Sequence, residues 1–207
     1  MAIRNLDGIF QPRSVVVIGP DHIGSAALDL FFRNFARGGF RGRVTLAGVA
    51  APEGWSGAVV PSFEAFEGNA DLAVVLSGAE SALEVIEALG ARGMKAALFL
   101  SRGYDEWPFF TTRQVLEAAR RLGIRLIGPG SLGVVSPHAG LDLSLAARPV
   151  KKGDLALVSR SSAVINSTLS WAEANGIGFS AVVSLGQKVD VDIGDLLDHF
   201  CAAYRTR

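Results

Sequence analysis

The apolar residues of this 207-residue chain fall in short unbroken runs, not in an alternating pattern. The first set reads Ser14–Ile18, Arg43–Ala47, Asp71–Leu76, Lys95–Leu100 and Arg125–Ile127, rich in Val, Ile, Leu and Ala. A strand that is apolar on both sides belongs to a parallel sheet covered on both faces. Helical stretches at Ser25–Arg37, Ser81–Ala91 and Thr111–Leu122, with a short turn near Ser62–Phe66, lie between these runs. Gly38-Gly39, Gly90, Gly93 and Gly123 mark helix ends, where glycine accepts a left-handed cap. Regular alternation of strand and helix gives right-handed crossovers, so residues 1–130 are expected to form a doubly wound α/β sheet.

Leu132–Lys152 interrupts that rhythm with Pro137, Gly140, Pro149 and Lys151-Lys152-Gly153, and residues 131–153 read as an irregular interdomain crossover. The pattern then restarts with strands at Asp154–Ser159 and Phe179–Leu185 and helices at Ala163–Asn175 and Ile193–Ala203. Two such units make a poor sheet, so residues 154–207 are expected to be part of a domain that is truncated or completed by a partner. No run approaches the roughly 18 apolar residues of a membrane span, and the amino terminus lacks the apolar stretch of a signal peptide. The lone cysteine, Cys201, allows no internal disulfide and points to a cytoplasmic protein. Lys plus Arg equals Asp plus Glu, 20 each, which leaves no basic excess for nucleic acid or an anionic membrane.

Two strand-to-helix junctions carry the chemistry. In each, a buried strand runs through small or polar residues into a helix, whose free N–H groups favour an anion. The first is Gly19-Pro20-Asp21-His22-Ile23-Gly24-Ser25, after the first strand; the second is Ser159-Arg160-Ser161-Ser162. Ligands of open α/β sheets bind beyond the carboxyl ends of the strands. The second strand ends Leu46-Ala47-Gly48-Val49 without the carboxylate that an ordinary NAD site uses on the adenosine ribose, so an ordinary NAD site is not expected and a ribose-phosphorylated nucleotide, of which coenzyme A is one, stays open. Ser77-Gly78-Ala79 and Ser101-Arg102-Gly103 end later strands with small residues that admit a ligand close to the backbone. Trp55, in the loop after the second strand, is expected to be a packed aromatic.

Several stretches together carry a family resemblance. Leu6-Asp-Gly-Ile-Phe10-Gln-Pro12-Arg13-Ser14-Val-Val-Val-Ile-Gly19, Asn34-Phe-Ala-Arg-Gly38-Gly39-Phe40-Arg-Gly42, Ile127-Gly128-Pro129-Gly130-Ser131-Leu132-Gly133 and Gly176-Ile-Gly178-Phe179-Ser180 resemble the NDP-forming acyl-CoA synthetases, relatives of the succinyl-CoA ligase alpha subunit. Val183-Ser-Leu-Gly186 and Asp190-Val-Asp192 followed by Asp195-Leu-Leu-Asp198 match as well, collinearly over the chain. The resemblance implies a Rossmann-like CoA-binding domain followed by an incomplete flavodoxin-like ligase domain. It implies CoA or acyl-CoA over Gly19, Pro20, Asp21, His22, Gly24, Ser25, Gly48, Val49, Ala51, Ser77, Gly78, Ala79, Ser101 and Gly103, with the thiol arm toward Gly130. It also implies phosphate at Arg160, Ser161 and Ser162, and a partner ligase subunit or further domains in an oligomer. The family's phosphorylated histidine and nucleotide-grasping portion have no counterpart within these residues, so the chain is not expected to be catalytically complete alone. Pro20, Asp21, Gly130 and Glu53 depart from the family pattern, and Ser161-Ser162-Ala163-Val164 is similar to the ligase-like, acetyl-CoA-sensing region of bacterial protein lysine acetyltransferases.

Asp190, Asp192, Asp195 and Asp198 fit helix capping, and no His or Cys has ligand spacing nearby, so no metal is expected. Glu80, Glu84 and Glu87 space as one wet helix face. His22, His138 and His199 read as structural or solvated residues. An NADP-binding oxidoreductase, with Arg43 on the 2′-phosphate, and a ligand-free interaction module are the alternatives.

Overall fold

In the computed structural model, which describes residues 6–19, 25–76, 78–100, 107–203 and 205–206, the first run of elements is α1 (Asp7–Phe10), β1 (Ser14–Ile18), α2 (Ser25–Gly38), β2 (Arg43–Ala47), β3 (Ala58–Val60), β4 (Leu72–Val75), α3 (Ala82–Ala91), β5 (Ala96–Leu100), α4 (Phe109–Leu122) and β6 (Arg125–Ser131). The six strands form one parallel sheet in the order β3-β2-β1-β4-β5-β6, the Rossmann-like doubly wound arrangement. Successive residues of each central strand point to opposite faces, as the pleat requires. Val15, Val17, Leu72, Val74 and Leu98 enter a core beside α1 and α2, whereas Val16, Ile18, Ala73, Val75 and Phe99 enter a second core beside α3 and α4. Burial on both faces is the reason these strands read as unbroken apolar runs.

The stretch expected to be an irregular crossover is instead ordered. Gly133–Ser136 (β7) and Leu141–Ser144 (β8) form an antiparallel hairpin around a 3₁₀ turn at Pro137–Ala139. Pro137 and Gly140 (φ 68°) build that turn, so they close a hairpin where they were read as breaking a pattern. The hairpin joins β9 (Lys152–Ser159) and β10 (Phe179–Ser184) in a four-stranded mixed sheet, order β8-β7-β10-β9, carrying α5 (Ser162–Ala174) and α6 (Ile193–Ala202). Val134, Leu143, Val183 and Phe179 share the core beside α1 and α2, so the second sheet covers one face of the first.

Polar groups register the two parts. The fully buried Asn34 of α2 donates from Nδ2 to the carbonyls of Ser144 (2.9 Å) and Ala146 (3.0 Å). The buried Asp142 accepts from Ser144 Oγ at 2.6 Å; burial pushes its carboxyl above the usual carboxylate range, opposed by Ser144 and Arg37. Arg125, at the start of β6, pairs with Asp190 at 2.8 Å and Asp195 at 2.6 Å, all three largely shielded from water. Asp192 and Asp195 form a reciprocal capping box at the start of α6, so the acidic run is used in capping and in this ion network.

His199 on α6 is buried at 8% exposure and stacks on Phe10 of α1, ring centroids 5.0 Å apart. Burial lowers its pKa from 6.5, opposed by Asp7. The native state therefore binds fewer protons than the unfolded chain between the depressed folded value and 6.5, and stability rises with pH across that window. Chemical denaturation is expected to show full stability above about pH 6.5 and progressive loss below it. In His199→Phe that part of the slope should disappear; an unchanged slope would rule out His199 as its source.

Candidate functional site

The strand order reverses between β1 and β4, and the first junction opens there. Gly19 N donates to the carbonyl of Ala47 (3.0 Å), Gly48 N to that of Val60 (3.0 Å) and Leu76 N to that of Ile18 (2.8 Å), carrying the sheet's hydrogen bonding past the strand ends. Above this edge lies a cleft of about 320 Å³ lined by Ile18, Gly19, Gly48, the turn Pro61–Glu64, and Ser81, Glu84, Val85 and Ala88 of the α3 region. Gly48 sits at φ 69°, and a Cβ there would stand 3.1 Å from the carbonyl oxygen of Gly19. Glycine is favoured there by the left-handed turn and by the tight approach to Gly19.

Among the expected cofactor residues, Pro20, Asp21, His22, Gly24, Ser77, Ser101 and Gly103 lie outside the described residues. Ser25 opens α2, and Gly78 and Ala79 follow β4, with the Ala79 carbonyl accepting from Ala82 N at the start of α3. Ala51 is exposed. Val49 is buried in the core beside α2, because the left-handed turn at Gly48 carries the next side chain inward. Trp55 packs on Phe32 and Phe35, centroids 5.8 and 6.1 Å away, as a core aromatic. Arg43 opens β2 at the amino end of the strand, across the sheet from the cleft, where it is badly placed to meet a 2′-phosphate. Of the lining residues, only Gly19 and Gly48 are among the expected ones: Glu84 reads from the sequence as part of a wet helix face, and Glu64 lies in the turn expected near Ser62–Phe66, to which no site role was attached.

The second junction adjoins the first domain through backbone contact. Gly130 (φ 71°), at the end of β6, faces Gly186 (φ 59°), which follows β10. A Cβ on Gly186 would collide with the carbonyl oxygen of Pro129 and press on Gly130, so only glycine lets the loops meet. Gln187 N donates to Pro129 O at 2.8 Å, and Gln187 Oε1 accepts from Trp107 N at 3.1 Å, beside the start of α4. From the other side, Arg160 Nε donates to Gly186 O at 3.2 Å. Ser161 caps α5 by accepting from Val164 N (3.3 Å), and its own N–H donates to Ser159 Oγ (3.0 Å); Ser162 begins the helix. Gly130, Gly186 and Arg160 thus gather the carboxyl ends of strands from both sheets at one place, with the start of α5 beside them.

Known proteins with this arrangement are informative. A family model described as a CoA binding domain matches residues 13–137, and one described as a succinyl-CoA ligase like flavodoxin domain matches residues 152–207. The chain is 33% identical to the alpha subunit of acetate–CoA ligase [ADP-forming] I of Pyrococcus furiosus, covering 98% of this chain and 46% of that protein. It is 31% identical to acetate–CoA ligase [ADP-forming] of Methanocaldococcus jannaschii over 93% of this chain and 27% of the relative. The apo structure of a dinucleotide forming acetyl-coenzyme A synthetase 1 from Candidatus Korarchaeum cryptofilum superposes with a TM-score of 0.85 at 27% identity, covering 97% of this chain and 44% of that one. This chain therefore spans less than half the length of these relatives.

Gly186→Ala tests the loop contact. The added methyl meets backbone on one side and a left-handed φ on the other, so a loss of about 2–4 kcal/mol in unfolding free energy is expected. A variant as stable as the parent would show that the loops do not meet as described. The matched residues and this geometry make the chain a member of the CoA-binding domain family, followed by a stretch that matches the succinyl-CoA ligase-like flavodoxin domain.

Proposed function

We propose that this chain is the CoA- and acyl-CoA-holding portion of an NDP-forming acyl-CoA synthetase-like protein, acting in the cytoplasm within a larger assembly. The observation that carries this reading is the glycine-lined cleft at the switch point of the first sheet, in a domain of the CoA-binding family. Gly19 and Ser25 would flank the diphosphate, Gly48 and the turn after β3 the adenosine, and Gly130 the thiol arm. The CoA thiol would supply the acyl carrier. The role of this chain is to hold that carrier in the cleft and to direct its arm toward Gly130, beside Arg160, Ser161 and Ser162, where inorganic phosphate would bind.

The second sheet supports completion by further ligase parts. Strand β9 is an edge of that sheet, with Leu155 44% exposed, and α5 buries Ile165 and Leu169 on one side while presenting Val164 and Trp171 to solvent. Flavodoxin-like sheets run in the order 2-1-3-4-5, which sets the first strand between the second and a third. Since β9 and β10 correspond to the first two strands, a third would pair along the free edge of β9. The domain division near residues 130 and 154 and the reversible acyl transfer to phosphate belong to this proposal. Of the described residues, no helix is long and apolar enough to cross a membrane.

Isothermal titration of the purified chain with CoA, acetyl-CoA, NADP and NAD tests the assignment. Saturable one-site binding of CoA or acetyl-CoA, with no heat from NAD or NADP, is expected. Binding of NADP alone, or of none of the four, would overturn it.

A further inference from the structure

The loop after β10 holds the first sheet at two points, and both holds come from Gln187. Its Oε1 accepts from Trp107 N at 3.1 Å, and its Nε2 faces Trp107 O at 3.5 Å, a longer and weaker bond. One side-chain amide thus spans both main-chain groups of a residue 80 positions away. The Gln187 backbone N–H donates to Pro129 O at 2.8 Å. The chain entering α4 and the end of β6 are therefore fixed to the same residue of the second sheet. Trp107 is buried, with its ring edge-on to Phe99 of β5 at a centroid distance of 4.8 Å. Gly128 presses on Phe99 as well, since a Cβ there would overlap the Phe99 carbonyl oxygen. The carboxyl ends of β5 and β6 are in this way clamped together from the second sheet.

This clamp stands where the proposed function directs the thiol arm. A Cβ built on Gly130 would lie 3.9 Å from Gln187 N, in ordinary contact. The nucleotide cradle is elsewhere: Gly19 and Gly48 follow β1 and β2, and β4 and β5 stand between β1 and β6. Three strand spacings of about 4.8 Å put roughly 14 Å between the two places, beyond the reach of a side chain. From this juxtaposition we infer that Gln187 is a positioning residue for the arm of the carrier, acting through Trp107 and Pro129–Gly130 and not on the nucleotide end. The inference rests on the proposed CoA-type ligand and states how the second sheet takes part in holding it. Without the amide, Trp107 N loses its acceptor, and the arm meets an edge that must be ordered as it binds.

Calorimetry of the full chain with CoA and with adenosine 3′-phosphate 5′-diphosphate, the same nucleotide end without the arm, tests it. Gln187→Met keeps the length of the side chain and removes the amide. It is expected to weaken CoA about three- to tenfold, the effect of one lost hydrogen bond, with an unchanged melting transition. Binding of the armless nucleotide is expected to stay as in the parent. Gln187→Glu keeps an oxygen that accepts from Trp107 N and is expected to restore most of the CoA affinity. An equal loss for both ligands would make Gln187 a residue of the fold alone. Unchanged CoA binding in Gln187→Met, the same loss in Gln187→Glu, or a parent that gains nothing from the arm would also overturn the inference. All of these leave the CoA-type assignment standing, whereas a parent that binds neither ligand overturns that assignment and this inference with it.

Discussion

The arrangement depends on a place where two backbones touch. Pro129–Gly130 at the end of β6 and Gly186–Gln187 after β10 approach so closely that no side chain fits between them, and the Gln187 amide is bonded to Pro129 O. Because β6 belongs to the first sheet and β10 to the second, this contact fixes how the carboxyl edges of the two sheets face each other. Both glycines take the left-handed conformation, and at Gly186 the missing Cβ is needed as well. The Arg125–Asp190–Asp195 network lies at the other end of β6 and steadies the loop that carries Gly186 into α6. A shielded ion network adds limited net stability but penalises any geometry that separates its members.

From that constraint the candidate site follows. The first sheet offers a cradle where its strand order reverses, and the second offers the capped start of α5. Arg160, bonded to Gly186 O, ties the second junction to the interdomain contact. A carrier whose nucleotide end lies in the cleft and whose thiol arm runs along the edge past Gly130 would end beside a helix N-terminus suited to an anion. Such a layout would separate recognition of the nucleotide from handling of the acyl group.

Much of the fold was legible because burial on both faces writes itself into composition. Val15, Val16, Val17 and Ile18 are all buried, so β1 could be read directly, and β4 and β5 followed the same logic, while β2 is buried only at Leu46 and Ala47. The hairpin β7–β8 was not legible, because Pro137 and Gly140 signal a turn and an irregular break equally well. The three-residue β3 was too short to register. At the cleft, Gly19 and Gly48 were legible because turns and strand ends favour glycine. Val49, Glu64 and Glu84 were not resolved, since which side of a turn a residue faces is decided by tertiary packing. The Gln187–Trp107 bond joins residues 80 positions apart and has no local signature.

The central claim is that the two sheets form one body held at the loop contact. Native-state hydrogen exchange reads this directly at the amides that cross between them, Gln187 to Pro129 O and Val191 to Leu126 O. If the contact is as described, these amides open only with the free energy that releases the central amides of β1 and β10. Exchange of both amides orders of magnitude faster, while the two sheets stay protected, would contradict the account and leave two domains joined by a loose tether.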